Sequence, residues 1–394
     1  MKAFKKVLVL FLASRLLISL FLLVGQPEHM NYMDNQIQMQ NPILDHFIIY
    51  DSYNYKQIAL EGYAEDRLTA FFPLFPLLVR GVHEVTGIGI YWAGFLLSNL
   101  FFLGSLWLLD QLMEKRGIGQ RTRVLAQAIL VFFPSTYFFS AFYTESFFLF
   151  LALLAFRFWG EEKREAAYLI GGLAALSRMV GVWVPLAFFL ERLIRRKLDL
   201  KDVVWAFASS LMFFMYPGYL WLTRGDPLLF LKVMGPHYGR HSALPFFPIY
   251  QDIVWSIEKW HEIRYIDYIT ILHFILFTIF VGYIISNIRL WRKGANVIWS
   301  EVIFTSGVIT MALSSQLNLS FEIATHGFMR YFLPAFPIFI FMGQQSDRAV
   351  MRADLRSGSR FILARKFVNY LTLLVWVIFS VIVLLGLRVK GFVA

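Results

Sequence analysis

Runs of roughly 17 to 25 mainly apolar residues, the length a helix needs to cross the hydrocarbon core of a bilayer, recur along this chain and limit it to few folds. They fall at 7–25, 91–111, 203–223, 267–288, 297–315 and 368–387. Residues 124–159 are long enough for two crossings, with Pro134, Ser135 and Thr136 and then the polar Tyr143, Thr144 and Glu145 marking a turn between them. Residues 329–343 give a shorter span, and 167–190 could cross once or fold back at Ser177, Arg178 and Gly181. Of the 394 residues 58% are hydrophobic and only 16% charged, whereas soluble domains carry about a quarter. The chain therefore reads as an all-α polytopic membrane protein, a single transmembrane domain over 1–394. It has no Cys, so disulfides and thiolate chemistry are excluded.

Basic residues orient the spans, because short loops rich in Lys and Arg stay cytoplasmic. With the N-terminus inside, 1–6, 113–123, 157–164, 191–201, 289–293 and 345–366 face the cytoplasm and hold 24 of the 37 Lys and Arg. This requires 69–85 to lie at the outer interface, with Pro73 and Pro76 interrupting a regular helix, and 167–190 to enter and leave on the cytoplasmic side. The opening MKAFKK before an apolar run also resembles a secretory signal. That run is long for a signal core, Arg15 interrupts it and no small-x-small site precedes Gln26, so it reads as the first helix. Arg15 itself reads as structural.

Two sizeable extracytoplasmic loops result, 26–90 and 224–266, with short ones near 135–145 and 316–330. Asp45, His46, Asp51, Tyr143, Glu145, His237, Arg240, His241, His326, Arg330 and Tyr331 all fall in them or at outer helix ends, and Arg178 sits at the tip of the broken segment. Asp51, among Tyr50, Tyr53 and Tyr55, sits where a carboxylate could act as a base on a lipid-borne substrate. A solvated loop acid is the simpler alternative for it. A charge at bilayer depth costs roughly 2.5 to 3.5 kcal/mol on insertion scales, so Arg178 and Arg330 should line a wet or protein-buried cavity. Arg330 could instead snorkel to headgroups, and Arg178 could be a structural partner of Glu145 or Asp51.

Other motif searches are negative. GIGQRT at 117–122 follows no strand and is no phosphate loop, and there is no zinc-protease helix, serine elbow or nucleotide-binding domain. His237 and His241 stand four apart, which on a regular helix would share one face and leaves a divalent metal open, with no certain cofactor. The net charge of +11 is spread over short loops as topology signals, so no nucleic-acid partner follows.

Four blocks in order, YDSYNYKQIALEGY with AFFPLFPLLVR, FFPSTYFFSAFYTESFF, GGLAALSRMVG and HGFMRYFLPAFPIF, resemble the glycosylphosphatidylinositol mannosyltransferase II (PIG-V-like) family over about 45–340. Tyr50 stands where the family pattern has Trp before the Asp. The resemblance implies a GT-C glycosyltransferase fold of about 9–11 transmembrane or re-entrant helices, interface helices in the first extracytoplasmic loop, Asp51 as catalytic residue, and a polyprenyl-phosphate sugar donor.

A polar cavity facing outward is beyond the reach of cytosolic nucleotide sugars, so transfer there needs a sugar carried on a lipid phosphate. The expected activity is a hexosyl transfer, mannosyl by resemblance, to a hydroxyl of a lipid, glycan or protein acceptor at the outer face of a bacterial cytoplasmic membrane. Asp51 is the expected base, Arg178 and Arg330 the donor-phosphate ligands, and Asp45, His46, Tyr143, Glu145, His237, His241 and Tyr331 the accessory or acceptor residues. A transporter or lipid flippase is the alternative, though such folds usually show internal repeats. No clear repeat is found here.

Overall fold

In hydrocarbon a backbone can satisfy its own N–H and C=O groups only as helix, and apolar runs of this length take that form. The computed structural model describes residues 2–23, 44, 47, 48, 50–258, 265–317, 324, 325 and 327–357. Helix α1 covers Lys2–Leu23; α2 (Asp51–Glu61), a 3-10 turn (Asp66–Ala70) and α3 (Leu74–Thr86) follow in the first large loop. The chain continues as α4 (Ile90–Lys115), α5 (Gln120–Val131), α6 (Glu145–Gly160), α7 (Arg164–Ser177), a 3-10 turn (Met179–Val182), α8 (Trp183–Ile194) and α9 (Leu200–Arg224). The second large loop holds α10 (Leu229–Lys232), α11 (Met234–Tyr238), β1 (Arg240–Ser242) and α12 (Phe247–Glu258). Then come α13 (Tyr265–Arg292), α14 (Trp299–Ala312), β2 (Ser315–Leu317), α15 (Phe328–Phe332) and α16 (Phe336–Ser357). The expected span at 368–387 lies outside the described residues.

Among the described residues, three helices are long and apolar enough to cross a membrane unaided: α4, α9 and Ile269–Arg292 of α13. The chain is thus an integral membrane protein. The outer face of α9 carries exposed Phe207, Phe214 and Trp221, apolar surface suited to lipid. Helices α5 to α8 and α14 run only 12 to 16 residues, short of the roughly 20 a full crossing takes. They are short because the chain breaks at 132–144, at 178–182 and after Ala312. Irregular backbone at that depth is tolerated only inside protein, and nearly all of 132–144 is buried.

Three details depart from the sequence reading. The expected span at 297–315 stops at Ala312 and gives way to β2, which pairs antiparallel with β1, Arg240 opposite Leu317. The loop expected at 345–366 is helical through Ser357, because the apolar pattern ends before the helix-forming residues do. Pro73 and Pro76 do not interrupt a helix but open one. Pro73 is the N-cap of α3 and Pro76 lies in its first turn, where a missing N–H costs nothing.

Ion pairs sort the two ends. Arg164 reaches Asp199 (2.8 Å) and Asp202 (3.1 Å), and Arg192 Nε reaches Asp202 (2.8 Å), joining the start of α7, the end of α8 and the start of α9. Arg195 donates to Asn296 and the Val297 carbonyl (3.0 and 2.7 Å), and Arg121 pairs with Asp347 (3.3 Å). So 167–190 enters and leaves at one end, as the basic loops required, and turns back at Arg178. Arg178 is extended (φ −156°, ψ 142°) between α7 and the 3-10 turn. The turn-back depends on Gly181, whose N–H bonds the Arg178 carbonyl (2.8 Å).

A Cβ on Gly181 would lie 2.1 Å from the Ala174 oxygen and 2.3 Å from its carbonyl carbon, helix backbone that cannot step aside. Gly181→Ala should therefore cost at least the roughly 1–3 kcal/mol typical of overpacking, read as a lower melting temperature of the detergent-purified protein. An unchanged melting temperature would show that this close approach does not hold the break at Arg178.

Candidate active site

The three helix breaks and the N-terminus of α2 meet at the end of the molecule opposite the basic loops. Asp51 is the first residue of α2, where the helix dipole favours a carboxylate and the first backbone N–H has no helical partner. The Tyr143 hydroxyl accepts that N–H (3.2 Å). The preceding Tyr50 has φ 45°, ψ −111°, a strained conformation for a residue with a Cβ, worth about 1–3 kcal/mol. Tyr50 thus stores strain beside the carboxylate.

The charged groups form one alternating chain. Arg330, on α15, places Nη1 2.6 Å from Asp51 Oδ2 and bonds Glu145 Oε1 through Nε. Arg178 Nη1 lies 2.5 Å from the same Glu145 oxygen and donates to Thr144 Oγ1 at 3.1 Å. Glu145 is fully buried at the start of α6, its Oε2 without a hydrogen-bond partner among the described residues. Arg330 also stacks over Tyr143 (4.5 Å) and Phe138 (5.2 Å). Arg178 and Arg240 lie 5.8 and 5.4 Å from the Tyr331 ring.

A cavity of about 1040 Å³ opens against this cluster, lined among others by Tyr50, Asp51, Thr144, Arg178, Arg330 and Tyr331. Its other walls are apolar at Met179, Phe230, Met234 and Met311, and polar at Asn54, Gln57 and Arg67. The volume suits a small-molecule site. In chemical terms the cluster offers one carboxylate at the cavity wall and guanidinium groups that can receive an anion.

The structure thus brings Asp51, Tyr143, Glu145, Arg178, Arg330 and Tyr331 together, Asp51 and Arg330 from 279 residues apart. Both simpler readings of the arginines bear on what is seen: Arg178 is a partner of Glu145, while Arg330 is buried and does not snorkel. Tyr143 and Glu145 are buried behind the cavity wall. His237 lines the cavity, but it does not share a helical face with His241. Helix α11 ends at Tyr238, Gly239 turns left-handed (φ 62°), and His241 lies on β1 opposite Gln316. Gly239 ends the helix before a second turn can form, while Pro236 lies within it. No three His, Cys, Asp or Glu gather as a metal site among the described residues. Asp45, His46 and His326 lie outside them. Arg15 ties α1 to the 132–144 break through Ser140 Oγ (2.6 Å) and Thr136 Oγ1 (2.9 Å), the structural role expected.

The sequence reading missed the brace behind Arg330. Buried Asp252 on α12 accepts the N–H groups of Ala324 (2.6 Å) and Thr325 (3.0 Å) and the Thr325 hydroxyl. That hydroxyl also meets His273 Nδ1 (2.7 Å), so His273 is the donor there. The brace fixes the segment leading into α15. The available signals were an Asp within the apolar PIYQDIVW and a His within the apolar ITILHFILF.

Solved structures that share the fold include ArnT from Cupriavidus metallidurans bound to undecaprenyl phosphate (TM-score 0.52, 14% identity) and ArnT from the same organism in the apo state (0.51, 13%). Each match covers 98% of this chain and 77% of ArnT. The likeness is one of architecture, the GT-C fold of a multi-helix membrane protein, and it does not single out the PIG-V-like family. No protein-family model matches the chain, and no curated protein matches it either.

Removing one member of a buried, paired cluster leaves a partner charge unmatched, at about 3–5 kcal/mol. Glu145→Ala should therefore lower the melting temperature sharply. Glu145→Gln, which keeps an acceptor oxygen for both guanidiniums, should lower it less. Equal stability of Glu145→Ala and wild type would mean that the arginines do not depend on Glu145.

Proposed function

We propose that this protein is a membrane glycosyltransferase that moves a hexose from a polyprenyl-phosphate donor to an acceptor hydroxyl, with inversion, at the extracytoplasmic face of a bacterial membrane. The observation that carries the reading is the placement of one carboxylate, Asp51, and two guanidiniums, Arg178 and Arg330, against a single cavity with an apolar side. The GT-C fold supports it, and so does the undecaprenyl phosphate bound to ArnT, a protein of the same fold. Mannose as the sugar rests on the PIG-V-like resemblance.

In this reading the apolar wall takes the first isoprenoid units and the arginines take the phosphate. The acceptor hydroxyl oxygen bonds to the anomeric carbon as the bond from that carbon to the phosphate oxygen breaks, the electron pair leaving on the phosphate. Asp51 takes the hydroxyl proton. Arg330 engages Oδ2 of Asp51, which leaves Oδ1 for that proton. Charge builds on the departing phosphate, where preorganised guanidinium groups lower the barrier. Glu145 holds Arg178 and Arg330 in one geometry, and Tyr331 packs against Arg178 and Arg240. The basic loops at the opposite end support an opening to the outside. His237, on the cavity wall, is an accessory residue on the acceptor side.

Asp51→Asn keeps size and shape but loses the base, so transfer from synthetic polyprenyl-phosphate mannose should fall by about 10²–10⁴-fold. Arg178→Ala should impair donor use severely, with Arg178→Lys only a partial rescue since a point charge does not reproduce the fork. Near wild-type turnover by Asp51→Asn would remove it from the mechanism. Transfer from a soluble nucleotide sugar with none from the lipid donor would sink the proposal, and solute uptake without glycosyl transfer would favour a transporter.

A further inference from the structure

The cavity is asymmetric in charge. At its inner end Arg178, Arg240 and Arg330 line the wall with Asp51 while Glu145 lies buried behind them, three cations against two anions. Helix α2 leads away from that end. Asn54, Gln57 and Glu61 follow Asp51 at spacings of three, three and four residues, a stripe along one side of the helix that extends about 15 Å from Asp51 to Glu61. At the far end Lys56 and Arg67 stand with Glu61 and Glu65 on the same cavity, two cations against two anions.

Arg67 locks this far end. Its Nη1 donates to Asn54 Oδ1, its Nη2 to Gln57 Oε1 (2.8 Å) and its Nε to Glu65 Oε2 (2.7 Å). The Gln57 amide nitrogen in turn donates to Glu65 Oε1 (2.9 Å) and Glu61 Oε2 (3.4 Å). Both amide orientations are thereby fixed, with the Asn54 and Gln57 oxygens toward Arg67. Hydrogen bonds from Arg67 and then Gln57 hold the Glu65 carboxyl below its ordinary carboxylate pKa, so it stays an anion at neutral pH. Tyr238 closes over the set, its hydroxyl donating to the Arg67 carbonyl (3.0 Å).

We infer that this far end is the acceptor subsite and that its ligand is an uncharged saccharide; the inference rests on the glycosyltransferase reading and adds the acceptor class to it. Oriented amides, carboxylates and a guanidinium are groups that exchange hydrogen bonds with sugar hydroxyls. The net charge of zero gives nothing to a phosphate, and Glu61 and Glu65 repel one. Asn54 lies one turn, about 5 Å, from Asp51, so a ring held by Asn54 and Gln57 presents a hydroxyl to the base while the next unit extends toward Glu61. The arginines at the inner end remain for the donor phosphate. One cavity thus separates its two substrates by charge.

The test uses the purified full chain in detergent, with polyprenyl-phosphate mannose as donor and octyl α-D-mannoside, octyl α-D-mannoside 6-phosphate, methyl α-D-mannoside or a Ser/Thr peptide as acceptor. Wild type should favour neutral octyl mannoside over its phosphate by at least tenfold in kcat/KM. Glu61→Lys, an exposed substitution, should move that ratio at least tenfold toward the phosphorylated probe, a gain that misfolding does not mimic. Gln57→Ala should raise KM for the neutral mannoside at least fivefold with little change in kcat. A preference for octyl over methyl mannoside supports a glycolipid headgroup and equal use supports a free glycan, both neutral saccharides. Equal or better use of the phosphate or the peptide by wild type, or a ratio unmoved by Glu61→Lys, overturns the inference while leaving the function standing. No turnover of the lipid donor with any acceptor or with water overturns both.

Discussion

The chain of charges Asp51–Arg330–Glu145–Arg178 is the interaction on which the arrangement of this end of the molecule depends. Each member comes from a different part of the sequence, and each is costly to bury alone. Together they alternate in sign, so every carboxylate faces a guanidinium, and Glu145 serves both arginines through one oxygen. Such a cluster is a poor source of net stability against an apolar core of equal volume, but it is specific. It accepts one relative placement of α2, α6, the α7–α8 break and α15, and that placement puts Asp51 at the cavity wall.

The helix breaks follow from the same constraint. A set of continuous spans would bury apolar side chains and leave no helix start, short helix or turn at that depth from which an Arg or Glu could be aimed at a common centre. Stopping α5, α7 and α14 short lets Glu145 begin α6, Arg178 sit between α7 and the 3-10 turn and Arg330 lie on the short α15, and the cost is backbone that must be satisfied within the protein. The Gly181 N–H on the Arg178 carbonyl, Arg15 on the Thr136 carbonyl, and Asp252 beneath Ala324 and Thr325 are local devices that meet it. Strain and buried polar contacts gather around the cavity, as in sites that need a fixed geometry.

Much of this was legible in the sequence because hydropathy and charge act over lengths the eye can scan. The spans of α4, α9 and α13 were legible to within four residues at each end, and basic loops foretold that 167–190 turns back. Arg178 and Arg330 stood out because a charge in an apolar run demands a partner. What stayed hidden depends on contacts across the fold. That Glu145 bridges both arginines, that Tyr143 caps Asp51, and that Asp252, Thr325 and His273 brace α15 require knowing which segments meet. The ends of α14 and α16 were misjudged because apolar length and helix length are set by different residues. Pro73 and Pro76 were read as breakers when their position in the first turn makes them starters.

The central claim is that this cluster seats the phosphate of a polyprenyl-phosphate ligand beside Asp51. A structure of the full chain determined with bound polyprenyl phosphate tests it most directly. The account predicts the phosphate within hydrogen-bonding reach of Arg178, its isoprenoid tail along Met179, Phe230 and Met311, and Asp51 on the side of the phosphate away from the tail. Density for the phosphate at the basic end near Arg164 and Arg192, with the Asp51 cavity vacant, would contradict it.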